Sequence, residues 1–144
     1  MPDAIIRKKG PLTPKERKII ERHTTVGYNI FKESSSPFLK AASIISATHH
    51  ERYDGTGYPE GIKGKKIPLS GRIVALADVF DALTCNRFYK KAYGFEESIS
   101  RIKDESGRHF DPEIVKAFLR RKSRIRKIWQ ANRNIASFVA DSSV

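Results

Sequence analysis

The chain has 144 residues, 39% hydrophobic and 31% charged, a balance that within one domain's length is globular and excludes a wholly disordered chain. Its net charge of +12 draws it toward something anionic: nucleic acid, a nucleotide, a membrane surface or an acidic protein. The lone Cys85 excludes an internal disulfide, the opening MPDAIIRKKGPLT lacks the apolar core of a signal peptide, and the longest apolar stretch, around 73–77, is too short to span a bilayer, so the expectation is a reduced, cytoplasmic protein with no membrane span.

The first strong helix start is Thr13-Pro14-Lys15-Glu16, where Thr13 caps, Pro14 fits the first helical position and Glu16 completes a capping box. From there Ile19, Ile20, His23, Val26, Ile30 and Phe31 share one helical face, which turns His23 inward. Ser36-Pro37 opens a second helix by the same logic, with Phe38, Ala42, Ile45 and His49 on one stripe. His50 follows about 100° further round, so both imidazoles look from the last turn toward one cavity.

Residues 51–70 read as a long loop broken by Gly55, Gly57, Gly61 and Gly64 with Pro59 and Pro68, and Tyr53, Tyr58 and Ile62 make it an ordered one. A third helix spans roughly Ser70 to Thr84, with Ile73, Ala77 and Phe80 as its expected core face and Asp78 and Asp81 on a neighbouring acidic stripe. NRFYKKAYG (86–94) is a basic, aromatic connection, and a short helix runs from about Phe95 to Lys103. The last helix is capped by Asp111-Pro112, carries Ile114, Val115, Phe118 and Leu119, and is expected to run on into the basic tail, where Ile125, Ile128 and Trp129 keep an apolar face. With no convincing strand, the class is all-α.

Three histidines and two aspartates thus stand near the inward faces of three helices. Neutral imidazole with carboxylate suits first-row divalent metals such as iron, manganese or zinc, and paired metals clamp a phosphate during in-line displacement. The plain alternatives stand beside this: a buried His23 bonded to a carbonyl, a His49-His50 pair answering the last carbonyls of its helix, and Asp78 and Asp81 as surface acids. The glycine loop matches no phosphate-loop spacing.

The motifs in their order carry more. HHE (49–51), DGTGYP (54–59), IPL (67–69), RIVALADVFDALT (72–84), RFYK (87–90) and GRHFDPEIVKAFL (107–119), with GPLTPKERKIIERHTTVGYNI (10–30) upstream, resemble the HD-GYP family of cyclic di-GMP phosphodiesterases over residues 2–119. The resemblance implies an all-α helical bundle of the HD/HD-GYP type over 1–119, followed by a basic helical extension over 120–144. It implies His23, His49, His50 and Asp78 as metal ligands, with iron or manganese as the divalent ions, and Asp81 beside them as the catalytic residue. Tyr58, Arg87 and Lys90 are implied to hold the dinucleotide, and His109 reads as structural because it precedes a helix cap. The implied reaction is water attack on a phosphodiester of cyclic di-GMP, giving the linear dinucleotide or GMP.

One departure from the family's pattern stands out. The adjacent His-Asp pair that gives the family part of its name occurs nowhere in these 144 residues. The expectation is therefore an N-terminally truncated bundle: a fragment, one half of a split protein whose partner brings the His-Asp helix, or a binder of cyclic dinucleotides or signalling proteins without turnover. A newly exposed apolar face would favour a homodimer. For the stripe of Arg121, Arg124 and Lys127, a solvated helix face outweighs nucleic-acid binding.

Overall fold

The structure, a computed structural model, describes residues 3–6, 8, 10–86 and 92–141, with side chains at 4–6, 8, 10–86 and 92–132. Its α-helices are α1 (Asp3–Ile6), α2 (Pro14–Phe31), α3 (Pro37–Thr48), α4 (Leu69–Thr84), α5 (Phe95–Asp104), α6 (Pro112–Arg120) and α7 (Lys122–Asp141), with a 3-10 turn at Gly64–Lys66. No strand occurs among the described residues, as the all-α expectation required; the one bridge joins Ser106 to Phe110.

The capping box opens α2 as read: the Glu16 amide donates to Thr13 Oγ1 at 3.2 Å and the Thr13 amide to Glu16 Oε2 at 2.7 Å. Asp111 likewise caps α6 by accepting from the Glu113 amide at 2.8 Å. The α2–α3 pair packs closely because Gly27 faces Ser46; a Cβ at Gly27 would come within 2.8 Å of Ser46 Oγ. The next contact, α3 to α4, depends on Gly71, where a Cβ would lie 2.2 Å from Thr48 Oγ1. Two small residues therefore set the spacing of the three helices that carry the candidate site.

The main core lies further along the chain, where Leu76, Ile102, Phe110 and Val115 are buried under Val79, Phe80, Leu83 and Phe118. This corrects the expected face of α4. Ile73 is 47% exposed and Ala77 is exposed, while Ala75 and Leu76 are buried. Helix α4 is packed by α3 on one side and by α5 and α6 on another, so the buried positions follow those neighbours rather than the most apolar stripe. Two further stripes are corrected in the same way: Ile19, Val26 and Ile30 of α2 and Phe38 of α3 are exposed, Phe38 by 80%.

The last helix does not run on unbroken. Helix α6 ends at Arg120 with Arg121 outside helical geometry, and α7 restarts at Lys122, where it meets α5. Lys122 and Arg126 both pair with Glu96, the Arg126 guanidinium lies 4.7 Å from the Phe95 ring centroid, and Trp129 meets the same ring at 5.4 Å.

Candidate metal and phosphate site

His23 comes from the middle of α2; His49 is the C-cap of α3 and His50 the residue after it, just past the last helical turn expected for both from the sequence. The Gly27–Ser46 contact brings these helices close enough for all three rings to meet: one ligand atom of each histidine lies within 4.8 Å of the others. All three are half-buried.

The hydrogen bonds fix which nitrogens face the cluster. His23 Nδ1 lies 2.6 Å from the Ile20 carbonyl, and His49 Nδ1 lies 2.9 Å from the Ile45 carbonyl and 3.0 Å from that of Ser46. A carbonyl only accepts, so each Nδ1 carries the proton and, in the neutral ring, each Nε2 carries a lone pair. These two Nε2 atoms stand 3.1 Å apart. Two lone pairs at that distance repel unless a proton or a cation lies between or beside them. Backbone carbonyls that lock the tautomer and aim Nε2 are the usual support of a metal-binding imidazole. The third ring is held neutral: burial, then the charges of His49, His23 and His109, push the His50 pKa down to about 4. The donor set thus fits a divalent transition metal.

The glycine loop folds back over this end of α3. Gly57 packs directly on the backbone after the histidine pair; a Cβ there would be 2.3 Å from the Arg52 nitrogen and 2.6 Å from the His50 oxygen. The next residue, Tyr58, donates its amide to the His50 carbonyl at 3.2 Å and lays its ring on the His50 ring, centroids 4.8 Å apart. Burial, then the carboxylates of Glu21 and Asp78, raise the Tyr58 pKa to about 12, so its phenol remains a hydrogen-bond donor at neutral pH.

The aspartates stand differently. Asp78 is exposed on α4 and outside the compact histidine group, yet its charge is felt at both Tyr58 and His109. Asp81 is exposed too, and its Oδ1 accepts from Cys85 Sγ at 3.5 Å at the end of α4. Arg87 and Lys90 lie outside the described residues. Two residues that sequence reasoning did not assign to the site border it. Glu21 acts on Tyr58 from α2, together with Arg17 four positions earlier, and that i, i+4 pair was the available signal. His109 lies in electrostatic range of His50 and Asp78, and burial and Arg52 push its pKa down to about 4; no local pattern announced this, because the segment between α5 and α6, 59 residues beyond His50, is held there by the Tyr53 and Asp54 amides donating to the His109 and Arg108 carbonyls.

A family model described as an HD domain matches residues 1–114. The chain belongs to the HD domain family. Among curated proteins, this HD domain is 44% identical over 134 residues to a cyclic di-GMP phosphodiesterase of Thermotoga maritima, covering 93% of this chain and 36% of that protein. It is 42% identical over 128 residues to a cyclic di-GMP phosphodiesterase response regulator of Xanthomonas campestris, covering 89% of this chain and 34% of that one. A 3'3'-cGAMP-specific phosphodiesterase of Vibrio cholerae is 42% identical over 119 residues, 83% of this chain and 23% of that protein. The HD-GYP likeness read from the motifs is borne out by these relatives, of whose length the chain spans about a third or less. Among solved structures, a cyclic GMP-AMP specific phosphodiesterase of V. cholerae superposes with a TM-score of 0.61 at 24% identity, over 92% of this chain and 36% of that one, which places the fold. No helix among the described residues is long and apolar enough to cross a membrane.

Proposed function

We propose that this domain hydrolyses a phosphodiester bond of a cyclic dinucleotide, cyclic di-GMP in the first instance, with a divalent metal held by His23, His49 and His50 and completed by Asp78. The observation that carries the reading is the pair of Nε2 atoms 3.1 Å apart, each aimed by a carbonyl behind its own ring. Iron or manganese is the preferred ion, because imidazole with carboxylate suits both. A bound divalent ion supplies Lewis acidity to a phosphoryl oxygen and lowers the pKa of water.

The chain's own groups do the rest. The carbonyls of Ile20, Ile45 and Ser46 hold two imidazoles in one tautomer. His50 stays neutral at physiological pH and keeps its lone pair. The Tyr58 phenol, protonated at neutral pH, offers a donor to a phosphate oxygen. Arg87 and Lys90 follow in RFYK, where a planar fork and a point charge suit the two phosphates. Asp81 is assigned as the acid–base neighbour of the metal ligands. Residues 1–119 form the domain in this reading, and 120–144 are its basic helical extension, whose Lys122 and Arg126 are already engaged by Glu96.

The test is hydrolysis of cyclic di-GMP, with 3'3'-cGAMP in parallel, by the chain loaded anaerobically with Fe(II) or Mn(II). Turnover that disappears in Asp78→Ala supports the reading. Turnover unchanged in that variant, or metal content unchanged in His49→Ala, overturns the ligand assignment.

A second reading is a module that binds the dinucleotide, or a signalling protein through the 51–64 loop, without turnover. One observation favours it: the compact donor group is three imidazoles, with Asp78 outside it. Calorimetric binding of cyclic di-GMP with no product formed would decide for it.

A further inference from the structure

The residue after the histidine pair has a distinct place. Glu51 is 2% exposed, yet it is neither a metal donor in the cluster nor part of an ion pair among the described residues. Its Oε1 accepts from the Glu60 amide at 2.8 Å and from the Gly61 amide at 3.2 Å, while its Oε2 is buried with no hydrogen-bond partner. The carboxylate therefore reaches across the base of the loop and holds the two peptide N–H groups that follow Tyr58-Pro59. On the near side, the Tyr58 amide is tied to the His50 carbonyl, and Gly57 is pressed against the Glu51–Arg52 backbone. The Tyr58 ring is thus fixed from both directions along the chain, and it lies on the His50 ring.

The geometry points to Glu51 as a positioning residue: its carboxylate clamps the Glu60 and Gly61 amides so that Tyr58 stays stacked on His50 and its phenol faces an incoming phosphodiester. The inference rests on the reading of Tyr58 as a wall of the nucleotide site, but its structural half stands without it. Hydrogen bonds from peptide N–H to a charged oxygen are stronger than to a neutral one, so a carboxylate at this position makes a stiffer clamp than an amide would. The carboxylate is committed through a single oxygen, Oε1, to two loop amides.

The experiment uses the full chain and reads the loop and the site separately. In Glu51→Ala, the His50 ring proton resonances, which sense the Tyr58 ring current, should move to the positions seen in Tyr58→Ala. In Glu51→Gln, which keeps an acceptor but not the charge, those resonances should stay while the Glu60 and Gly61 amides exchange with solvent roughly tenfold faster. Cyclic di-GMP affinity should fall several-fold in Glu51→Ala but show no further fall when Tyr58→Ala is already present; additive losses would mean a merely structural residue. Unmoved His50 resonances in a folded Glu51→Ala overturn the clamp. Should Glu51→Ala not fold, unchanged exchange of the two amides in Glu51→Gln overturns it alone. A clamp borne out by resonances and exchange in a chain that binds no dinucleotide would leave the clamp standing and remove the phosphodiesterase reading.

Discussion

The ring of Tyr58 rests on the ring of His50, with centroids 4.8 Å apart and planes 26° from parallel. One contact thus joins the glycine loop to the histidine cluster. Substrate grip and metal grip are separable here, because Tyr58 touches the cluster through the face of His50 and not through a ligand nitrogen. Tyr58→Phe keeps the stack and loses the phenolic donor. Cyclic di-GMP binding should weaken roughly tenfold, in line with about 1.5 kcal/mol for one hydrogen bond to a charged oxygen, while metal content measured by elemental analysis stays at the wild-type level.

Metal should stabilise the fold through the same cluster. Binding of Mn(II) at a hundredfold excess over its dissociation constant adds about 2.7 kcal/mol, or roughly 5–10 °C in the melting temperature of a domain this size. His23→Ala should melt at one temperature with or without the ion, because it removes one of the paired Nε2 donors. Differential scanning fluorimetry with and without EDTA reads this directly.

Gly57 is the residue the loop is least able to change. A Cβ would meet the Arg52 nitrogen at 2.3 Å and the Glu51 Cα at 2.6 Å, both backbone atoms that cannot swing aside. Gly57→Ala should cost about 3 kcal/mol, the upper end of overpacking penalties, seen as a lower urea midpoint. Gly64→Ala meets nothing within 4 Å, but its φ of +63° makes it a strain control of smaller effect.

Acid should weaken the fold through His109. Its folded pKa is about 4, pushed down first by burial and then by Arg52, against about 6.5 for the unfolded chain. Between those values the unfolded chain binds the extra proton, so stability is full above about pH 6.5 and is lost as pH falls toward 4. From pH 7 to pH 5 this one group should remove about 1 kcal/mol, discounted for its partial exposure. Urea unfolding in EDTA should show a shallower loss between those pH values in His109→Gln than in the parent chain.

Arg72 and Asp111 form the most enclosed ion pair among the described residues, at 13% and 1% side-chain exposure. Arg72 Nε also donates to the Ile67 carbonyl at 2.9 Å, and Asp111 caps α6. Arg72→Ala strands a buried carboxylate and should cost about 3–5 kcal/mol, measured by chemical denaturation.

Much of this protein was legible in the residues themselves. Thr13 and Glu16 set the start of α2 and Asp111 that of α6, because caps are local chemistry between residues three or fewer apart, whereas α3 starts at Pro37 as expected but with no side-chain cap from Ser36. The linked motifs gave the family, and the three histidines do come together, although the stripes used to turn His23 and His49 inward also hold the exposed Ile19, Val26, Ile30 and Phe38. What periodicity missed was decided by neighbours. Ile73, Ala77 and Phe38 looked like core, but a stripe is buried only where another element covers it, and here α4 offers Ala75 and Leu76 to its partners instead. The break at Arg121 was not written in the periodicity either; beyond it, Glu96 of α5 pairs with Lys122 and Arg126 of α7. The electrostatic influence of His109 on His50, and that of Asp78 on Tyr58 from outside the compact imidazole group, likewise depend on how segments far apart in sequence are packed. Sequence determines which side chains share a helix face; only packing determines how far one face stands from the next, and metal and phosphate chemistry depends on that distance to within an ångström.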